Sequence, residues 1–453
     1  MTGADQWIRS APAHWTRGRL KNLVASSANG TWGSDPVEDG DNVRCVRAAD
    51  FDRVSRRADL TNAPLRHVEP SALRQHLLRP GDLVLEKSGG GEKQPVGMAV
   101  LFTGTEAAVS SNFCARVQPS ADVDSRFLTY VFAAAYGQGL TQAAIKQTTG
   151  IQNLDTGAFF ASRWAFPGKE EQRRIADFLD TETARIDELV RNRSKQATLL
   201  AERDFASLSE ALIPGILTAS SGEGLYPWLP APSDDRPLVR LGYICQLQNG
   251  LTVDGKRDVT GDAVTRPYLR VANVQSGRLE LDSVSEITVP RAVAQRATLR
   301  VGDVLMTEGG DLDKLGRGTV WNGELPDCLH QNHVFALRPD ETILDGRYLA
   351  LMTRTVHGRC YFESTGSKTT NLASTNSSKI LGFPIPLPSL NSQRELISRV
   401  HKDLQATSRL RAMVERQAAL LAERRQALIT AAVTGRFDVS TATGRDLTEG
   451  VSA

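Results

Sequence analysis

Two long stretches of the chain carry apolar residues at alternating spacings of three and four, the pattern of helices that pair along one stripe. In the first stretch the stripe positions are Ile175, Leu179, Glu182, Ile186, Leu189, Arg193, Gln196, Leu200 and Arg203. In the second they are Leu410, Val414, Gln417, Leu421, Arg424 and Leu428, preceded by Leu396, Val400 and Leu404. Each stretch runs for about forty residues without an interior Pro or Gly and is rich in strong helix formers. We therefore predict two long spacer helices, 169–218 and 389–436, that pack antiparallel as a coiled coil.

The segments before these helices have a different pattern. Residues 1–168 and 235–388 contain short apolar runs, such as DLVLE and DVLMT, punctuated by Gly, Pro and Asn. They also contain helical stretches such as SRFLTYVFAAA, so each segment is predicted to be an α+β domain. The stretch 219–234, rich in Pro and Gly, is predicted to be a linker, and 437–453 a flexible tail.

The two α+β segments repeat each other. LRPGDLVLE at 78–86 corresponds to LRVGDVLMT at 299–307, and SNFCARVQP at 111–119 corresponds to QNHVFALRP at 331–339. Asn153-Leu154 also matches Asn371-Leu372, and the order of the matches is preserved along the chain. A duplicated unit of half the chain predicts a pseudo-twofold molecule with two similar domains separated by the paired helices. The repeated Gly-Asp is interpreted as a structural turn that leads into a buried strand.

Composition narrows the class of protein. The chain has 453 residues, of which 40% are hydrophobic and 23% charged, so it is long enough for several soluble domains. No apolar run approaches a membrane span, and the N-terminal residues do not form a signal peptide, so a cytoplasmic location is expected. Five cysteines without a C-x-x-C pair indicate reduced, mostly buried thiols. A net charge of +2 confines any basic surface to local patches.

The duplicated order of phrases resembles the specificity subunit of type I DNA restriction-modification enzymes. The resemblance rests on LRPGDLVLE and LRVGDVLMT, HQNHVFALRP, TTNLASTNSSKILGFPIPLPSLNSQRELI and RQALITAAVTG, and it spans nearly the whole chain. The first repeat departs from the pattern, with AFPGKEEQRRIADFLD in place of the fuller IPLPSLNSQ.

The resemblance implies that each globular segment is a target-recognition domain for one half of a split, asymmetric DNA sequence. It implies that the paired helices set the spacing and dock two modification (methyltransferase) subunits, and through them the restriction and translocation subunits. The partners are then double-stranded DNA and these subunits, without a membrane. The chain itself would bind no cofactor, because S-adenosylmethionine, ATP and Mg²⁺ belong to the partner subunits.

Two loops recur in matching places and are the best candidates for contact with DNA. EKSGGGEKQPVG at 86–97 matches TEGGDLDKLGRG at 307–318, and KQTTGIQN at 146–153 matches GSKTTNLA at 366–373. Glycines permit close approach of the backbone, whereas Lys, Arg, Thr and Gln contact phosphates and base edges. With the asparagine that both repeats share, the candidates are Lys87, Ser88, Gly89, Gly90, Lys93, Asn112, Lys146, Gln147, Thr148, Thr307, Gly309, Gly310, Lys314, Arg317, Asn332, Lys368, Thr369 and Thr370. The alternative for any one lysine is a solvated Gly-rich loop, and Arg47 and Arg270 rank lower because they are equally suited to structural ion pairs.

Catalysis by this chain is not indicated. HQNH at 330–333 is compatible with a metal nuclease, but its counterpart SSNF keeps only the asparagine. There is no Walker-type phosphate loop and no Asn-Pro-Pro-aromatic motif of adenine methyltransferases. The leading hypothesis is a non-catalytic recognition subunit. The alternative is a duplicated-domain coiled-coil scaffold that binds proteins or another non-DNA ligand, and an enzyme that acts alone ranks last.

Overall fold

The structure, a computed structural model, describes residues 9–38, 40, 42–91, 94–148, 151–218, 226–231, 235–252, 261–310, 315–368 and 373–439. Its contacts divide the chain into two compact units, one of residues 1–194 and 415–453 and the other of residues 195–414. Both predicted spacer helices are divided between the units. Each unit therefore consists of one globular segment together with part of each long helix.

The helices are α1 (Pro70–His76), α2 (Ser125–Gly137), α3 (Thr156–Ala161), α4 (Lys169–Leu212), α5 (Arg291–Ala297), α6 (Gly346–Met352), α7 (Val356–Thr365), α8 (Ser377–Leu381) and α9 (Leu390–Val433). The strands of the first unit are β1 (Thr16–Arg19), β2 (Val24–Asn29), β3 (Asn42–Val46), β4 (Phe51–Asp52), β5 (Arg57–Ala58), β6 (Leu65–His67), β7 (Leu83–Glu86), β8 (Ser88–Gly89), β9 (Ala99–Leu101), β10 (Ala108–Ser110), β11 (Cys114–Pro119), β12 (Ile145–Thr148), β13 (Ile151–Leu154) and β14 (Arg163–Phe166). The strands of the second unit are β15 (Leu238–Arg240), β16 (Cys245–Asn249), β17 (Ala263–Leu269), β18 (Val274–Gln275), β19 (Arg278–Leu279), β20 (Ser285–Pro290), β21 (Val304–Thr307), β22 (Gly309–Gly310), β23 (Gly318–Val320), β24 (Leu329–His330), β25 (Val334–Pro339), β26 (Ser367–Lys368), β27 (Ala373–Ser374) and β28 (Pro384–Pro386).

The two units share their sheet topology except at one place: β4 and β5 extend the largest sheet of the first unit, whereas their counterparts β18 and β19 form a separate two-stranded sheet in the second. In the first unit the sheets run β1-β14, β2-β11-β7-β9-β5-β4, β10-β3-β6 and β12-β13-β8. In the second they run β15-β28, β16-β25-β21-β23, β18-β19, β24-β17-β20 and β26-β27-β22. The parallel pairing of β3 with β10 recurs as the parallel pairing of β17 with β24. The duplication inferred from repeated phrases is therefore also present in the fold, and the α+β class is confirmed.

The repeated Gly-Asp turn is structural, as interpreted. Gly81 and Gly302 have φ of +98° and +92°, a backbone region that favours glycine. The aspartate that follows is buried in both units and accepts a hydrogen bond from a backbone N–H three residues earlier. Asp82 also binds Arg116 Nε at 2.7 Å, and Asp303 binds Arg338 through two bonds of 2.8 Å. This turn fixes the start of the central buried strand in each domain.

The long helices pack against each other inside each unit, with residue numbers rising along one helix and falling along the other. In the first unit Asp187 pairs with Arg425, and the ring of Phe178 lies 5.5 Å from that of Phe437. In the second unit Arg203 Nη2 donates to Thr407 Oγ1 at 2.7 Å. The antiparallel pairing predicted from the stripes is confirmed within each unit.

The predicted stripes are correct at most apolar positions but wrong at two. Leu189 and Leu410 are each 41% exposed, whereas Val190 is partly buried and Thr407 is only 5% exposed. Each globular segment packs on one side of the helix pair, so the buried face is wider than a strict two-position seam and shifts along the helix. A heptad read from the sequence alone cannot anticipate that shift.

Two segments predicted to be linker or tail are partly built into the cores. Tyr226, Trp228 and Leu229 pack against the core of the second unit, and Trp228 Nε1 donates to His357 Nδ1 at 2.9 Å. At the other end, Gly435 with φ of +71° ends the helix and turns Phe437 onto Phe178. The aromatic residues of YPWLP and RFDV were the sequence signal for these contacts. Residues 219–225, 232–234 and 440–453 lie outside the described residues.

The expectation of mostly buried thiols is confirmed for Cys45, Cys114 and Cys328, and all five cysteines are free. None of the helices in the described part of the chain is both long and apolar enough to cross a membrane.

Candidate nucleic-acid interface

The structure brings the two predicted loops of the first unit into one small sheet. Strand β8, from the loop 86–97, pairs antiparallel with β13, which in turn pairs with β12 from the loop 146–153. Ser88 lies opposite Asn153, and its Oγ donates to the Asn153 carboxamide oxygen at 2.7 Å. Two segments that are separated by some sixty positions in the sequence therefore form one surface.

The turn that carries Asn112 joins the same surface. The carbonyl of Phe113 accepts hydrogen bonds from the backbone N–H groups of Lys87 and Ser88, at 3.0 and 3.1 Å. Asn112 and Phe113 are both exposed, and Phe113 keeps 50% of its surface accessible to solvent. All three segments that the sequence singled out in this domain are therefore adjacent.

The second unit repeats this arrangement. Strand β22 pairs with β27, and β27 with β26, so the loops 307–318 and 366–373 meet in the same way. Glu308 N–H donates to the His333 carbonyl at 2.9 Å, as Lys87 does to Phe113. Thr375 N–H donates to the Glu308 carbonyl at 2.7 Å, as Leu154 does to Lys87 at 2.8 Å. Leu154 is thus equivalent to Thr375, which corrects the sequence match of Asn153-Leu154 with Asn371-Leu372 by three positions.

The glycines of these loops allow backbone conformations that other residues rarely adopt. Gly89, Gly90 and Gly310 have φ of +111°, +61° and +146°, and a Cβ added at Gly89 would meet nothing within 4 Å. Gly309 and Gly310 lie opposite Ser374 and Ala373 in β27. Open backbone at Gly89 is the property that close approach to a nucleic acid requires.

The charged candidates differ in their surroundings. Lys87 is half-buried and Lys368 is exposed, and neither side chain forms a hydrogen bond or ion pair with a described residue. Lys146 is exposed, but its Nζ lies 2.7 Å from Asp155 Oδ2. This hydrogen bond, together with the backbone N–H of Ala158, lowers the pKa of Asp155. Lys146 therefore has an acidic partner within its own domain, which Lys87 and Lys368 lack among the described residues.

Thr307 is the candidate that the structure places furthest from solvent. It is 4% exposed at the end of the fully buried strand β21, and its N–H faces the carbonyl of Arg317. Its side chain does not reach the surface that a duplex could touch, because both faces of β21 are covered by the domain.

The remaining candidates lie at several places in the two loops and in the turn that carries Asn332. Arg317 and Asn332 are half-buried, and the Asn332 N–H donates to the Leu251 carbonyl at 3.1 Å. Gln147 and Thr148 lie in β12, opposite Gln152 and Ile151. Four candidates fall outside the described residues: Lys93, Lys314, Thr369 and Thr370.

Arg47 and Arg270, which the sequence ranked lower as DNA contacts, differ in whether they form a structural ion pair. Arg47 forms a bidentate pair with buried Asp50, at 2.9 Å from Nε and 2.8 Å from Nη2, and this pair raises the pKa of Arg47. Arg270 is exposed, and its counterpart of Asp50 is the neutral Asn273, which accepts the Arg270 backbone N–H at 2.8 Å. Arg47 is thus an ion-pair residue, whereas Arg270 forms no ion pair with any residue that the structure describes.

His330 is part of the core and not a surface group. It is fully buried, its Nδ1 lies 2.7 Å from the Val334 carbonyl, and burial lowers its pKa. His333 is 53% exposed and is hydrogen-bonded to the Glu308 carboxylate. Across the described residues, no group of three or more His, Cys, Asp and Glu side chains is placed to hold a metal ion.

Three residues at this surface were not predicted from the sequence to contact DNA: the aromatic residues Phe113 and His333, and the apolar residue Ile151. Phe113 and Ile151 are about half exposed, at 50% and 51%, although both types are normally buried. His333 occupies the place of Phe113 in the second unit. A ring after the shared asparagine in both repeats was the signal, and exposed aromatic groups beside lysines suit contact with sugars and bases.

These observations define a class of protein: two copies of one α+β domain, each with the same three-segment polar surface, alternating with two long helices. No family model matches the chain. It is 22% identical over 331 residues to the type I restriction enzyme StySPI specificity subunit of Salmonella potsdam, covering 72% of this chain and 68% of that one. It is also 22% identical over 333 residues to the EcoKI specificity subunit of Escherichia coli K12, with coverage of 72% and 68%.

A solved structure concerned with complex assembly and conformational transition of the type I R-M system contains a chain with the same fold. The TM-score is 0.70 at 17% identity, over 94% of this chain and 99% of that chain. The resemblance to type I specificity subunits that the sequence predicted is confirmed by these relatives, and the fold class by this structure.

Proposed function

We propose that this chain is the sequence-specific DNA-binding specificity subunit of a type I restriction-modification system. The observation that carries the proposal is the duplicated surface: three separate segments meet in the same hydrogen-bonded arrangement in both units, with different side chains in each. Two unequal half-sites can be read by domains that have the same backbone arrangement but present different polar side chains to the bases. The relatives named as specificity subunits support this function over a scaffold for proteins or another non-DNA ligand.

The proposal assigns the chemistry to other subunits. Two modification subunits would methylate the target, and restriction and translocation subunits would join them. S-adenosylmethionine, ATP and Mg²⁺ would bind there, so this chain acts without catalysis and without a cofactor of its own. Since the DNA that the proposed complex methylates is inside the cell, we expect the complex to be cytoplasmic.

The proposed function is tested by mapping methylated bases in DNA from cells with and without this gene. We expect a split motif, with one modified adenine on each strand, that disappears on deletion. A motif without a gap, or methylation that persists after deletion, would contradict the proposal.

A domain exchange tests the assignment of half-sites. The exchanged segment is 226–388 and not 235–388, because Tyr226 and Trp228 pack into the second unit. We expect exchange with the equivalent segment of a relative to change one half of the motif and to leave the other half and the gap unchanged. A change in both halves would show that the domains do not read separately.

A further inference from the structure

A cavity of about 520 Å³ lies in the first unit, and none of the residues that line it belongs to the candidate interface. The hairpin of β4 and β5 forms one wall, α2 a second, and the two long helices a third. Its polar side chains include Arg56, Arg57, Arg126, Tyr130, Asp180, Asp187, Arg191 and Arg425. The volume is within the range of about 300–1,000 Å³ that small-molecule sites occupy.

Arg56 is the unusual residue in this cavity. It is 7% exposed, and its guanidinium forms no hydrogen bond or ion pair with any described residue. Its nearest aromatic neighbour is Tyr130, whose ring centre lies 5.9 Å from Cζ. Burial, and then the nearby Arg425, lowers the pKa of Arg56 to about 10, so the group remains charged near neutral pH. A buried charge without a partner is costly, and proteins normally pair it.

The carboxylates around Arg56 are engaged elsewhere. Asp187 binds Arg425, at 2.6 Å from Nε and 2.9 Å from Nη2. Asp180 binds Arg126 at 3.0 Å and accepts from Tyr130 at 2.7 Å. Asp52 accepts from the hydroxyl and the N–H of Ser55 and from the N–H of Val54. None of these carboxylates forms an ion pair with Arg56, although the charge of Asp187 is near enough to favour the protonated guanidinium.

Two more arginines without partners lie at the mouth. Arg57 and Arg191 are exposed, and neither guanidinium is bonded to a described residue. Together with Arg56 they give one cavity three uncommitted guanidinium groups. Such groups bind oxyanions through two N–H donors each, and a phosphate offers the several oxygens and the multiple charge that three of them can share.

The backbone at Arg56 shows that the residue is held in place at a cost. Its φ is +56°, in the left-handed region that a residue with a Cβ rarely adopts. The equivalent residue between β18 and β19 is Gly277, with φ of +74°. In that unit the guanidinium comes from Arg354, whose Nη1 would lie only 2.7 Å from a Cβ added at Gly277. Both domains thus put a guanidinium at the same hairpin corner, by different routes.

We propose that this cavity binds a phosphate-type oxyanion, either free or carried by a small molecule, with Arg56 as the deep ligand and Arg57 and Arg191 at the mouth. A duplex backbone is the less suitable occupant, because Arg56 is only 7% exposed and a rigid double helix does not reach a buried side chain. The cavity shares no lining residue with the candidate nucleic-acid interface, so the inference does not depend on the proposed function.

The test is calorimetric titration of the full chain with inorganic phosphate and, separately, with AMP, in the absence of DNA. We expect one saturable site per chain for at least one probe. Arg56→Gly should weaken binding at least tenfold, and Arg191→Gln severalfold, while Arg74→Gln, on the exposed face of α1, should leave it unchanged. Binding of phosphate itself indicates the free ion, whereas binding of AMP alone indicates a carried phosphate.

Arg56→Gly is designed to keep the fold, since Gly occupies the equivalent position in the second unit. Without ligand its thermal unfolding midpoint should equal or exceed that of the wild type, because a buried charge and a strained φ are both removed. Three results would overturn the inference: no saturable binding of either probe, equal binding by Arg56→Gly, or weaker duplex binding by Arg56→Gly with phosphate binding intact. The last result would assign the cavity to DNA.

Discussion

The carboxamide of Gln393 accepts the backbone N–H of Asp345 at 2.9 Å, and thereby joins the start of α9 to the N-cap of α6. Its Nε2 donates to the carbonyls of Ile343 and Pro388, both at 2.9 Å. Gln172 makes the same three contacts in the first unit, to Asp124, Asp122 and Pro167. One side chain in each unit therefore fixes the angle at which a long helix leaves its domain.

Gln393→Ala should lower the free energy of unfolding by about 2 kcal/mol, because it leaves three backbone groups without partners in a buried site. Gln417→Ala, an exposed change on the same helix, should stay within about 0.5 kcal/mol of the wild type. Urea unfolding followed by circular dichroism measures both. Equal effects of the two changes would mean that the Gln393 contacts do not stabilise the junction.

The buried turn aspartate supports a second prediction. Asp303 is 1% exposed and binds Arg338 through two hydrogen bonds. Asp303→Asn keeps the shape but removes the charge, and breaking a buried pair costs about 3 kcal/mol. The exposed pair of Arg291 and Asp262 provides the control, since Asp262→Asn should cost under about 1 kcal/mol. Comparable decreases in stability in chemical denaturation would contradict this prediction.

A buried histidine predicts the acid sensitivity of the second unit. His357 is fully buried, and its Nδ1 accepts from Trp228 while Nε2 donates to the Pro384 carbonyl. Burial lowers its pKa from 6.5 to about 4, so the unfolded chain takes up the proton first as pH falls. Stability that is present above pH 6.5 should decline toward pH 4, by up to roughly 1.4 kcal/mol per pH unit from this group.

His357→Gln keeps an acceptor and a donor but cannot titrate. Denaturation between pH 7 and pH 5 should show a shallower decline of stability for this variant than for the wild type. An unchanged slope would mean that His357 does not control the acid response, and would leave His330, whose pKa burial also lowers, as the main contributor.

The sequence predicted the parts of this molecule that depend on local patterns. Long helices follow from spacing and from the lack of Gly and Pro, and the start of the first predicted spacer coincides with the helix start at Lys169. Repeated phrases anticipated the shared topology because duplication preserves turns such as Gly81-Asp82. Helix formation and turn geometry depend mainly on residues close to one another in the sequence, so a single segment is enough to predict them.

Features that depend on contacts between distant segments were not predictable. No local rule indicated that Trp228 would bond to His357, or that Arg56 would be buried while its neighbour Arg57 stays exposed. The junction of the two candidate loops through Ser88 and Asn153 arises from tertiary pairing alone. For the same reason Lys146 appeared equivalent to Lys87 in the sequence, although only Lys146 has an acidic partner.

The two lysines without partners give the most direct test of the candidate interface. Lys87 directly precedes β8 and Lys368 lies in β26, so the two lysines adjoin equivalent sheets of the two units. Phosphate binding by each would release counterions. Lys87→Ala with Lys368→Ala should weaken binding of the full chain to duplex DNA and reduce the slope of log K against log salt by about 0.9 for each phosphate that is no longer neutralised. Fluorescence anisotropy across a series of KCl concentrations measures the slope. Lys21→Ala, which removes an exposed charge outside these sheets, should leave it unchanged. If the double variant and Lys21→Ala changed the slope equally, general charge and not this surface would account for the attraction.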